Sequence, residues 1–199
     1  MTPLHPPQIW RHCRQCSSRA PFRSSGKFRA NAQKKRMDVW LIYRCASCGE
    51  TWNLPILERL PIGKIPPDEL RAFAANDPAH AARHAFDLER LRRHSDRVEQ
   101  GPEVAIVKRL TSGNPVSATS VEIEFMLGRP CRLRLDGLLS RGLGVTRSLI
   151  GGLHGSAALT TAPANGKALR SPVIDGQRVR ISLEPATTLT AEIRKAAAP

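Results

Sequence analysis

Long hydrophobic runs are missing from this chain of 199 residues. A membrane-spanning helix needs about 20 consecutive apolar residues, and the longest candidates here, Val39–Tyr43 and Val104–Val107, are strand-sized. The opening Met1-Thr-Pro-Leu-His-Pro-Pro7 lacks the basic start and apolar stretch of a secretory leader, so a soluble, cytoplasmic protein with no membrane partner is expected. Acids are scarce: 17 Asp and Glu face 31 Lys and Arg, a formal charge of +14 that calls for an anionic partner. Aromatics are few, and none follows Phe125. A Gly-rich phosphate loop, a Ser/His/Asp or Cys/His arrangement and paired carboxylates in a marked context are all lacking. Catalysis and a small-molecule substrate are therefore not expected. What is present is 41% hydrophobic residues, enough for a packed core in one domain or two small ones.

The charge is unevenly placed. Residues 11–44 hold ten bases and one acid, Asp38; residues 129–180 hold nine bases and two acids, Asp136 and Asp175; residues 58–103 are close to neutral. The neutral middle reads as helical. Pro66-Pro67-Asp68-Glu69 suits a helix start, Asn76-Asp77-Pro78 breaks the run, and a second helix is expected over residues 78–98 as part of a solvated spacer. Short strands are expected at Glu103–Leu110 and Val121–Leu127, and Lys195–Pro199 reads as a frayed tail.

Four of the five cysteines form two pairs, Cys13-Arg-Gln-Cys16 and Cys45-Ala-Ser-Cys48-Gly49. Two residues between cysteines let a tight turn aim both sulfurs at one ion, and four thiolates close a tetrahedral structural Zn²⁺ site with no open position. Gly49 supplies the backbone freedom such a turn uses. The 28 intervening residues form a long hairpin, with arms Phe22–Ala30 and Met37–Arg44 about a turn at Asn31–Arg36, and Glu50–Trp52 adds a third strand. That layout is a zinc ribbon. Redox dithiols need a βαβ setting that neither pair has, and disulfides need an oxidising compartment. Cys131 reads as a small buried apolar residue, and His80 and His84, one turn apart without a third ligand, as surface histidines. Trp40 and Trp52 are assigned to the ribbon core. Lys27, Arg29, Lys34, Lys35 and Arg36 are the candidate phosphate contacts of this region.

Ser24–Ala32 together with Asp38-Val-Trp-Leu-Ile-Tyr-Arg-Cys-Ala-Ser-Cys-Gly-Glu-Thr-Trp-Asn53 and Phe73-Ala-Ala-Asn-Asp77 resembles an uncharacterised bacterial family, the domain of unknown function numbered ten sixty-two, over nearly the whole chain. Residues 133–183 resemble the RNA-binding domain named after ribosomal small-subunit protein four. The matching pieces are Arg134-Leu135-Asp136, Leu138-Leu139-Ser140-Arg141, Thr146-Arg147-Ser148, Asn165-Gly166-Lys167 and Asp175-Gly176-Gln177. The order at Asp175-Gly176 is reversed relative to that domain, and Leu149–Gly155 is glycine-rich with no base beyond Arg147. The resemblance implies RNA contacts at Arg132, Arg134, Arg141 and Arg147.

The expected architecture is α+β: a zinc ribbon over 1–57, a helical spacer over 58–102, a small α/β RNA-binding-like module over 103–190 and a tail over 191–199. The expected function is zinc-stabilised binding of nucleic acid, structured RNA first. The alternative is a zinc-ordered adaptor for an acidic protein partner.

Overall fold

The computed structural model describes residues 1–95, 97–114, 117–184 and 188–197. It is a mixed α+β chain that divides into two compact units, His5–Gly101 and a second built from Met1–Leu4 with the chain from Pro102 onward.

The first unit is an antiparallel sheet in the order β5-β4-β3-β2-β6, with β2 at Gln8–Cys13, β3 at Ser18–Gln33, β4 at Arg36–Cys45, β5 at Thr51–Pro61 and β6 at Val98–Glu99. Strand β1, Thr2–Pro3, belongs to the other unit. Alternation decides which side is covered. On β4, Met37, Val39, Leu41, Tyr43 and Cys45 are buried, while Asp38, Trp40, Ile42 and Arg44 face the other way. Three helices accompany the sheet: α1 at Pro67–Ala74, α2 at Pro78–Ala85 and α3 at Leu88–His94. Phe73 of α1 meets Phe28 of β3 edge-on at 5.0 Å, and His80 of α2 packs on both rings.

Several expectations need correction here. The hairpin turn is two residues, not six: Gln33 pairs with Arg36, and Lys34 and Lys35 alone make the loop. Strand β5 runs to Pro61, so a boundary at 57 cuts a strand, and residues 58–101 share a unit with the cysteine pairs. The single helix expected over 78–98 is two, because the Asp87 carboxylate accepts from the Arg90 N–H at 2.9 Å and starts a new helix. Trp40 is not core; it stands half-exposed on the face opposite Leu41 and Tyr43.

The second unit has a three-stranded antiparallel sheet, β8-β10-β9, from Ser120–Phe125, Gln177–Ser182 and Leu159–Ala162. Strand β7, Val104–Ala105, pairs with β1, so little of the strand expected over 103–110 forms. Helices α4 (Leu135–Leu143), α5 (Arg147–Gly155) and α6 (Thr188–Ala197) complete it. Leu135, Leu138, Leu139 and Leu143 are all buried in its core with Ile150, Val179 and Ile181. Thr146 caps α5 by accepting from the Leu149 N–H at 3.3 Å. The segment read as a tail over 191–199 is helical through Ala197, and Ile193 is fully buried; Ala198 and Pro199 lie outside the described residues. Cys131 is buried in this core.

Candidate functional site

The first cysteine turn joins β2 to β3 and the second joins β4 to β5. Phe22 of β3 pairs with Ile9 on one side and Cys45 on the other, so β3 brings both turns to one end of the sheet. The second turn is tied to β3, the Ala46 N–H donating to the Pro21 carbonyl at 2.8 Å, and is closed by the Cys45 N–H donating to the Glu50 carbonyl at 2.8 Å. Gly49 adopts φ 80°, the left-handed conformation that its lack of a Cβ permits. The sulfurs of Cys13, Cys16, Cys45 and Cys48 all lie within 4.8 Å of one another. Cys13 Sγ is 3.5 Å from Cys48 Sγ, and Cys16 Sγ is 3.9 Å from Cys45 Sγ. A tetrahedron with Zn–S bonds of about 2.3 Å has edges of about 3.8 Å. The four side chains are positioned to bind a metal ion, and the spacing fits one the size of Zn²⁺.

Local electrostatics favour the thiolate at one corner. The Cys48 and Ser47 N–H groups hold Cys45 down to about 6 against the opposing effect of burial. Crowding acts the other way on Cys16, which the hydrogen bond with Cys48 pushes up to about 12. Four thiols cannot all deprotonate this close together without a cation between them.

The candidate bases of this unit lie along the hairpin. Lys27 and Arg29 are exposed on β3, Lys34 and Lys35 form the tip, and Arg36 donates to the Arg59 carbonyl at 2.9 Å. Both tip lysines hold positive φ, 49° and 59°, a turn normally made by Asn-Gly. The structure therefore strings these residues along one hairpin rather than gathering them into a pocket.

Of the C-terminal candidates, Arg134, Arg141 and Arg147 are exposed, but most have contacts within the chain. Arg134 pairs with Asp136 at 2.5 Å, Arg141 donates to the Pro102 carbonyl, and the Arg147 guanidinium lies across Gly137 of α4. Arg132 also has a partner within the chain.

Two features escaped the sequence reading. His80 is not a surface residue: it is 5% exposed, and its Nε2 lies 3.3 Å from that of His84. Burial, reinforced by His80 and Arg90, lowers His84 to about 4. Phe28 and Phe73 were visible as apolar residues, but not their meeting across α1, α2 and β3. The second feature is a groove of about 510 Å³ beside β2, lined by Arg11, His12, Arg19, Arg92, Arg93 and His94 among others. Arg11 is engaged within the fold, stacking on Trp52 at 4.1 Å and donating to the His94 carbonyl. Runs such as Arg92-Arg93-His94 mark the charge in sequence, but not that it meets β2.

Fold and site together define a two-unit α+β protein with a four-cysteine centre positioned to bind metal. Residues 30–165, more than half the chain, match the family described as "Protein of unknown function (DUF1062)", and the chain belongs to that family. The match takes in Cys45 and Cys48 and starts beyond Cys13 and Cys16. No curated protein and no solved structure matches the chain.

Proposed function

We propose that this is a zinc-stabilised nucleic-acid-binding protein of the cytoplasm, acting on structured RNA without catalysis. The N-terminal unit works as a zinc ribbon in this reading, extended by the helices that pack on its sheet. The observation that carries the proposal is the hairpin tip. Lys34 and Lys35 occupy the two left-handed positions where Asn-Gly is most stable, at the exposed end of a strand pair rich in bases. A left-handed non-glycine residue costs about 1–2 kcal/mol, so two lysines there favour a role for their charge. A purely structural centre fits the four thiolates, since they fill every position of a tetrahedron and leave none for a substrate.

The C-terminal unit supplies weaker support. Its α4–α5 pair, the turn at Asn165–Lys167 and the Asp175-Gly176 turn before β10 follow the order of the RNA-binding domain that residues 133–183 resemble. Its candidate arginines are mostly engaged within the chain, so the hairpin is assigned the larger share of binding.

Gel-shift titration against tRNA and duplex RNA at two salt concentrations tests the proposal. Binding should weaken steeply with salt, and the triple substitution Lys34→Ala/Lys35→Ala/Arg36→Ala should flatten the slope by about 1 for each phosphate that is no longer neutralised. Binding weaker than micromolar would refute it, and binding indifferent to the triple substitution would remove the hairpin tip as its surface. Metal analysis of the purified chain should give one zinc per molecule.

A further inference from the structure

The open face of the five-stranded sheet carries a pattern that folding alone does not explain. Residues directly opposite on neighbouring antiparallel strands share a face, and the register places Arg23 against Arg44, Arg29 against Trp40, and His12 against Arg19. Arg23, Arg29, Trp40 and Arg44 are on the side away from the buried Phe22, Leu41, Tyr43 and Cys45. Like charges directly opposite destabilise a sheet. Even so, Arg23 and Arg44 are both exposed and have neither an acidic nor a hydrogen-bonding partner among the described residues; Arg29 is in the same position. Trp40, half-exposed between Arg29 on β3 and Pro55 on β5, has no aromatic or cation partner among the described residues. The acid that the β3–β4 register places on this face, Asp38, is occupied with the Arg59 N–H at 2.7 Å.

We propose that this face is a platform for single-stranded nucleic acid, with the backbone phosphates on Arg23, Arg29 and Arg44 and a base stacked on Trp40. The inference rests on the nucleic-acid reading above and narrows its structured RNA to the unpaired loops and ends, for which it supplies a surface. Charge complementarity selects the occupant: an unpaired arginine couple needs an anion, and a bare indole farther along the same face, opposite Arg29, suits a base better than a carboxylate side chain. Length is adequate as well. The Arg23–Arg44 and Arg29–Trp40 pairs are four residues apart along β4, about 13 Å at about 3.3 Å per residue, room for a short single-stranded segment across the face. Duplex RNA would keep its bases stacked inside the helix and leave Trp40 without a contact.

The experiment is fluorescence anisotropy with a labelled 12-nucleotide single-stranded RNA and a blunt RNA duplex of the same length, using the full chain with its zinc content verified. Arg23→Ala/Arg44→Ala should weaken single-strand binding by about tenfold or more and lower the salt slope by about 1.4, two contacts at about 0.7 each. Trp40→Leu should weaken it by a similar factor while leaving the slope unchanged. Melting temperature should not fall in the double variant, since a repulsive pair is being removed; should that variant fail to fold, Arg44→Gln carries the same reading alone. If single-strand binding survives both Arg23→Ala/Arg44→Ala and Trp40→Leu but is abolished by Lys34→Ala/Lys35→Ala/Arg36→Ala, the platform is overturned and nucleic-acid binding stands. If neither RNA binds the unmodified chain, both readings fall. A polyglutamate of matched charge that competes as well as RNA would put an acidic protein on this face and overturn the platform too.

Discussion

Two residue-scale features set stability against something else. Lys34 and Lys35 sit at φ 49° and 59° in a two-residue hairpin loop. Replacing the pair by asparagine and glycine, Lys34→Asn/Lys35→Gly, should raise stability by about 1–2 kcal/mol, seen in chemical denaturation, while RNA binding weakens. A variant that is no more stable would show that the turn relaxes around lysine at little cost. His84 is the second case. Unfolded, its imidazole takes a proton near the ordinary 6.5; folded, only near 4, because it is buried beside His80, Phe28 and Phe73. Between those values the unfolded chain binds more protons, so stability that is complete above pH 6.5 drains away as the pH falls towards 4. The loss should be on the order of 2 kcal/mol, reduced from the full effect because the ring is partly exposed. Thermal melts at about pH 7.5 and 4.5, on either side of most of that window, measure it. The gap between the native chain and His84→Gln should narrow at the lower pH, which separates this group from the acid sensitivity of the thiolates.

At the scale of elements, what could be read from sequence was local. The Cys-x-x-Cys turns, Gly49, the Leu135–Leu143 stripe and the Thr146 cap each depend on residues within a few positions of one another, and each is where it was expected. What could not be read depends on partners far along the chain. The length of β5 is set by pairing with β4, including an irregularity near Val39. The alignment of Arg23 with Arg44 lies just before the bulge between Ser24 and Phe28, where Gly26 takes φ 68° and the register shifts. The break between α2 and α3 was written in Asp87, but alternating charges over 78–98 read equally well as one helix. Gly137 gives an element-scale prediction. A Cβ there would come within 2.8 Å of the Arg147 guanidinium, the movable end of a flexible side chain. Gly137→Ala should therefore swing Arg147 aside and, by the helix preference for alanine, stabilise by about 0.5–1 kcal/mol. Denaturant titration gives the sign, and a fall in stability would mean that Arg147 is fixed against α4 more firmly than its exposure implies.

For the whole molecule, the formal +14 changes meaning once a metal is counted. Four thiolates and one Zn²⁺ would contribute −4 and +2, bringing the total from +14 to +12 and leaving the first unit's basic surface largely intact. The five cysteines also divide unequally: four in the cluster of the first unit that is positioned to bind a metal, and Cys131 buried in the core of the second. That division makes the chain its own reporter. A thiol reagent added to the native, metal-loaded protein should find almost no reactive sulfur, because coordination protects four and burial the fifth. With a strong chelator present, four thiols should react quickly, since structural zinc commonly supplies folding energy to the module that holds it. The fifth should wait until denaturant opens the second core. Cys13→Ser should behave like the chelator, exposing the remaining three of the set and leaving Cys131 protected. If all five react together on chelation, the two cores do not stand independently; if four react readily in the untreated protein, the cysteines hold no metal and the centre assigned to them is wrong.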